Sequence, residues 1–284
     1  VKGAPRRPLA AAALAVGLFG AAGCHPLTLD PFFYDPLVGP ACANPGLPTA
    51  VIASYACIKV LTPDGQTLDG AFIPSSGARA DVTLIYFHGQ TNNLGTTWPR
   101  LEYLYPLGYN LVSVDPRGYG ASTGSPSEAG LQIDEVAIRD FVVNHAGVDA
   151  TRLVIYGRSL GSGLAIDLAS RAAPAVLITE SAFASIAAFV NDGTYVDFPS
   201  SFVSASSWDN LAKIAHLSSP YLLLHGTADL YIDPKYSQEL AAAHPGPTTL
   251  VLVPGAGHDD VPETMGLDAY RTAIQTMVDA AIPP

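Results

Sequence analysis

Residues 154–163, Val-Ile-Tyr-Gly-Arg-Ser-Leu-Gly-Ser-Gly, constrain this chain more than any other stretch. A β-prone apolar run feeds Gly157-Arg158-Ser159-Leu160-Gly161, and an alanine- and leucine-rich helical pattern follows at once. A G-x-S-x-G pattern between a strand and a helix describes a turn so sharp that the serine oxygen projects from it. Glycine belongs at both flanks, because a side chain there collides with the neighbouring strand or helix. Taken alone the pattern is weak, since glycine and serine are common in loops. The strand before and the helix after it make Ser159 a candidate nucleophile, provided an acid and a base follow.

Both partners are expected downstream, acid before histidine, each just past a late strand. The run 220–229 is an apolar strand ending in Gly226, then a turn that presents Asp229. The run 248–258 is a β-rich strand followed by Pro254-Gly255-Ala256-Gly257 and His258. Asp229 also reads as a helix N-cap, and Glu180, ending the preceding strand, is a back-up acid. Asp259 and Asp260 are expected to point away from His258 and cap the last helix.

With these residues in order, the chain resembles the α/β-hydrolase family over nearly all of the sequence after residue 23. His88-Gly89, the 115–120 run Asp-Pro-Arg-Gly-Tyr-Gly, the Ser159 turn, the 225–229 run and Gly257-His258 carry the resemblance. The segments 180–185 and 209–214 make it most similar to the small-capped serine hydrolases of the Bem46 and prolyl-oligopeptidase-like group. The resemblance implies a mostly parallel sheet flanked by helices. It also implies acyl transfer to water, with Ser159, His258 and Asp229 as nucleophile, base and acid. The tetrahedral intermediate needs two backbone N–H donors. Leu160 supplies one by the geometry of the turn, and the resemblance nominates Gln90 for the other. The 88–93 loop departs from the smaller run common in relatives, so Thr91 and Asn92 leave its shape open.

The pattern along the chain agrees. Strands are expected near 56–62, 68–73, 82–87, 111–114, 152–156, 175–180, 220–224 and 248–253. Helices are expected near 97–106, 128–146, 159–172, 234–244 and 262–281. Pro63-Asp64-Gly65 marks a hairpin. Alternating strands and helices give a largely parallel sheet, whose ligands bind beyond the carboxyl ends of the strands. Residues 183–215 break the alternation and read as a small cap in a 51–284 domain. Its aromatics Phe183, Phe189, Tyr195, Phe198, Phe202 and Trp208 either line an acyl pocket or seal the cap to the body, and singly the second is the expectation.

The first 23 residues read as a processing signal. Lys2, Arg6 and Arg7 precede an uninterrupted small and apolar run from Leu9 to Ala22, 14 residues against the ~20 that span a bilayer. Ala21-Ala22-Gly23-Cys24 resembles a bacterial lipobox, with Ala21 where leucine is usual. Lipidation of Cys24 and a tether over 24–50 are therefore expected, with ordinary secretion as the alternative. An exported protein with two further cysteines suggests a Cys42–Cys57 disulfide. Without the first 23 residues, 11 basic residues face 25 acidic ones, a net charge of −14 that disfavours nucleic acid and anionic lipid.

Other polar residues receive blander expectations. Arg117 braces loops, because one cation without helpers seldom makes a phosphate site. Arg158 touches substrate or simply sits at the mouth, with no second basic residue of its motif beside it. His88 braces its loop with help from Asn92 or Asn93. His225 is structural, His145, His216 and His244 lie at the surface, and His25 sits at the expected mature terminus. No spacing suggests a metal, no cofactor is implied, and a monomer acting on a small acyl substrate is expected. Ester or thioester hydrolysis leads. Peptide or amide cleavage and a non-catalytic, lipid-tethered binding protein stand as alternatives. Ser159 disfavours the chemistries that place aspartate or cysteine at that position.

Overall fold

The computed structural model describes residues 33–43, 47–48, 50–144, 148–188 and 206–284. Eight strands form one sheet in the order β1-β2-β4-β3-β5-β6-β7-β8. They are β1 (Ala56–Leu61), β2 (Thr67–Ile73), β3 (Thr83–Phe87), β4 (Asn110–Val114), β5 (Leu153–Arg158), β6 (Val176–Glu180), β7 (Tyr221–Gly226) and β8 (Thr248–Val253). β2 runs antiparallel to β1 and β4, and every other pairing is parallel. The β1–β2 hairpin turns at Gly65, whose φ of 86° lies where a side chain is strained. Arg117 clamps that turn, bonding Asp64 at 2.7 Å and Asp134 at 2.8 Å, which is the bracing role expected of it.

Seven helices are described: α1 (Leu94–Leu104), α2 (Glu128–Asn144), α3 (Leu160–Arg171), α4 (Asn210–Ile214), α5 (Lys235–Ala243), α6 (Val261–Met265) and α7 (Leu267–Ala281). They cover both faces of the sheet because the strands alternate. In β5, Leu153 and Ile155 join the apolar layer shared with α2, α3 and α5. Val154 and Tyr156 join the opposite layer with Trp98 and Leu101 of α1 and Ile274 and Val278 of α7. Each such side chain, fully buried, contributes about 1.5–3 kcal/mol.

Cys42 and Cys57 are joined in a disulfide, with Cα atoms 5.6 Å apart. It fastens the segment before the domain to edge strand β1. Tyr34 of that segment is buried, and the Trp208 indole N–H donates to its hydroxyl at 3.1 Å.

In the expected cap, Phe183–Ala188 and 206–215 are described, while Phe189, Tyr195, Phe198 and Phe202 lie outside the described residues. Phe183 and Trp208 pack on Gly163 of α3, where an added Cβ would meet Trp208 at 3.0 Å and Phe183 at 3.1 Å. These two aromatics seal the segment to the body. Cys24, His25 and His145 also lie outside the described residues. His216 is exposed, but His244 is buried, a correction to its expected surface position. Its Nδ1 pairs with Thr248 Oγ1 at 2.7 Å and its ring meets Tyr221 edge-on.

Candidate active site

The turn between β5 and α3 places Ser159 at φ 54°, ψ −121°, a backbone state costing about 1–3 kcal/mol. Its neighbours hold it there. Ser159 N–H donates to Glu180 O at 2.9 Å, and the Ser162 N–H and hydroxyl both donate to Ser159 O. The flanking glycines are required by contact: an added Cβ would lie 2.1 Å from Gly161 O at Gly157, and 2.2 Å from Phe87 O at Gly161. Strand and helix are pressed too close for any side chain.

Two later loops converge on this serine. Asp229 follows β7 and His258 follows β8, and Ala228 N–H ties the loops by donating to Ala256 O at 2.8 Å. His258 Nε2 lies 3.0 Å from Ser159 Oγ, and His258 Nδ1 lies 2.8 Å from Asp229 Oδ2. The other Asp229 oxygen accepts the Tyr231 and Ile232 N–H groups at 2.9 Å each. Burial alone would raise the Asp229 carboxyl, yet hydrogen bonds from His225 and His258 prevail and hold it well below the usual range. The aspartate is thus ionised beside an imidazole that can give it Nδ1–H and take a proton from serine at Nε2.

His225 braces the acid, in keeping with the structural part expected of it. It is fully buried, with Nδ1 2.6 Å from Ser237 Oγ and Nε2 3.0 Å from Ile232 O and 3.2 Å from Asp229 Oδ2. With the Ser237 hydroxyl donating to Nδ1, the Nε2–H faces the aspartate. Ser237 carries no motif-level signal, being 12 positions from His225 on α5.

Glu180 is not at hand as a second acid. It is fully buried, accepts the Tyr156 hydroxyl at 2.6 Å and lies 3.3 Å from Arg100 Nη1. Asp259 caps neither of the last two helices; its carboxylate sits on the Arg158 guanidinium. Asp260 precedes the short helix α6, not the last helix, and accepts Gly257 N–H at 2.6 Å. The cause is charge: Arg158, 93% buried, faces the loop that carries Asp259.

The loop after β3 completes the site. A Cβ on Gly89 would lie 3.4 Å from Ser159 Cβ and 3.5 Å from Arg158 Nη1, so this backbone touches the serine. His88 Nδ1 lies 2.8 Å from Gly89 O and Nε2 3.2 Å from Asp115 Oδ1, the brace expected of it. Asn92 accepts from Arg158, and Asn93 caps α1 and donates to Leu37 O. Gln90 stands next in this loop, and Leu160 opens α3. Arg100, contributed by α1, was invisible as a site residue in the sequence because no motif surrounds it.

No family model matches the chain. The protein YfhR of Escherichia coli is 32% identical over 238 residues, covering 81% of this chain and 83% of YfhR. Protein bem46 of Schizosaccharomyces pombe is 35% identical over 190 residues, covering 63% and 62%. The Pyrococcus furiosus esterase Pf2001 superposes with a TM-score of 0.68 at 19% identity, over 86% of this chain and 97% of that one. Sequence and sheet topology agree: the chain belongs to the α/β-hydrolase family, with Bem46-like relatives.

Proposed function

We propose that this protein is a serine hydrolase that cleaves a carboxylic ester or thioester through an acyl-enzyme. One observation carries the reading: His258 lies within hydrogen-bond reach of both Ser159 Oγ and an ionised Asp229. Ser159 Oγ attacks the acyl carbon while its proton passes to His258 Nε2. Asp229 stabilises the imidazolium that results and fixes its tautomer. The carbonyl π pair moves to oxygen, met by the N–H groups of Gln90 and Leu160. When the carbonyl re-forms, the bond to the leaving oxygen or sulfur breaks and that atom takes the His258 proton. Water then attacks the acyl-enzyme, its proton passing to His258 and then to Ser159 Oγ.

A likeness to solved esterases supports ester over amide substrates, and nothing in the site favours the peptidase reading. A fluorophosphonate probe tests the proposal. Wild type should label and Ser159→Ala should not, and a folded wild type that fails to label leaves a binding protein on the same scaffold. We further propose that the chain is exported and anchored by lipid on Cys24 to the bacterial envelope. The disulfide supports that address, since such bonds persist in oxidising compartments.

A further inference from the structure

Between the 88–97 stretch and the loop that carries Asp259, with Arg158 of the serine turn in its wall, lies a cavity of about 330 Å³. Thr91, Asn92, Thr96, Arg100, Arg158 and Asp259 line it. Its walls are polar, which is unusual beside a serine expected to receive an acyl group. They are also cationic, in a chain of net charge −11.

The charge balance explains the cavity. Two guanidiniums reach it, Arg158 from the turn and Arg100 from α1, with side chains 8% and 12% exposed. One buried carboxylate stands between them: Glu180 Oε1 lies 3.3 Å from Arg100 Nη1 and 3.7 Å from Arg158 Nε. Burial disfavours the Arg100 charge, but Glu180 outweighs it and keeps the guanidinium protonated. Glu180 is already shared, since its other oxygen accepts the Tyr156 hydroxyl. The buried floor therefore carries one positive charge in excess. Two surface carboxylates more than offset it: Glu263 stands 3.9 Å from Arg100, and Asp259 sits on Arg158. Asp259 is 73% exposed, so water can take it back at little cost. Arg100 also donates to the Asp259 backbone oxygen, which fixes the loop and leaves the carboxylate free to swing.

We propose that this cavity is the subsite for a carboxylate on the substrate, and that Asp259 fills it until the substrate displaces it. The occupant already present argues for the carboxylate: an Asp259 oxygen accepts from Arg158 Nη2, while Nη1 donates to the neutral Asn92 amide oxygen. Arg158 and Ser159 Cβ flank one point on Gly89, so the carboxylate belongs a few bonds from the acyl carbon. The substrate class is then the half-ester of a short dicarboxylic acid. This rests on the hydrolase reading, which it deepens.

The test compares monomethyl glutarate with methyl valerate, which has the same chain length and no charge, using the full chain and a pH-stat. Wild type should favour the half-ester in kcat/KM by roughly 10-fold, the worth of one charge-assisted pair. Arg158→Gln should collapse that ratio, and Asp259→Asn should raise it several-fold, mainly through KM. A wild-type ratio at or below one, or a ratio that both substitutions leave unchanged, overturns the subsite and leaves Arg158 as a brace. Asp259→Asn carries the test if Arg158→Gln, which strips Glu180 of a counter-charge, does not fold. Absence of hydrolysis of both esters, with no fluorophosphonate labelling, would instead sink the hydrolase reading.

Discussion

Asp229 is held by four donors, of which the two imidazoles can be removed separately. Its Oδ1 is fixed by two backbone N–H groups, its Oδ2 by the imidazoles of His225 and His258. Asp229→Ala should cut kcat by roughly 10³–10⁴-fold, because Glu180 is committed to Tyr156 and Arg100 and offers no substitute. A loss of less than about 10-fold would overturn the assignment of the acid. His225→Phe should act more mildly, through Asp229. The present hydrogen bonds lower the carboxyl, so losing one raises it, and the acid limb of the pH–kcat profile moves to higher pH. An unchanged limb with reduced thermal stability would make His225 a packing residue only.

Helices α2, α3 and α4 meet around a buried charge cluster. Burial raises the Glu135 carboxyl well above its usual range. Burial also opposes the charge on Asp167, but hydrogen bonds from Glu135, Arg171 and Lys213 win and lower it to about 2. The folded value lies below the unfolded one, near 3.8, so Asp167 adds stability above about pH 4 and loses it as pH falls towards 2. Asp167→Asn should thus lower the urea midpoint at pH 7, with the deficit shrinking between pH 4 and pH 2. Glu135→Gln should cost less than Asp167→Asn at pH 7, since it replaces an acid that burial already disfavours as an anion. Equal losses in both variants would refute this division.

The elements themselves were largely legible. All eight strands fall within one or two residues of their apolar runs. The larger shifts have physical causes. β5 runs on to Arg158 because Gly157 and Arg158 pair with Thr179 and Glu180. α1 starts at Leu94, not 97, since Asn93 and Thr96 close a capping box and Pro99 lies inside the helix. Turn chemistry brought Ser159, Asp229 and His258 into view, because each sits at a fixed place past a strand. The Arg100–Glu180–Asp259 set stayed hidden, being joined only by the fold across 79 and 80 positions of chain. A charge pair at that range leaves no periodicity to read.

At the scale of the molecule, the protein is a sheet closed by a disulfide clasp at one edge and by the His258 loop near the other. The clasp encloses about 15 residues, a loop whose closure contributes about 3 kcal/mol in chain-entropy terms. Among the described residues no helix is long and apolar enough to cross a membrane. In the proposal membrane residence rests on Cys24. Cys24→Ser should move the protein from the membrane fraction to the soluble one, and unchanged retention would end the lipid-anchor reading.

The order in which the sheet is written along the chain has a consequence during manufacture. Ser159 follows β5, Asp229 follows β7, and His258 arrives only after β8, the last strand of the sheet. A ribosome or translocon that has delivered the first 257 residues has therefore released a serine with no proton acceptor beside it. In the proposed mechanism such a chain is inert towards esters, however much of the sheet has assembled. In that mechanism reactivity waits on the stretch that follows β8.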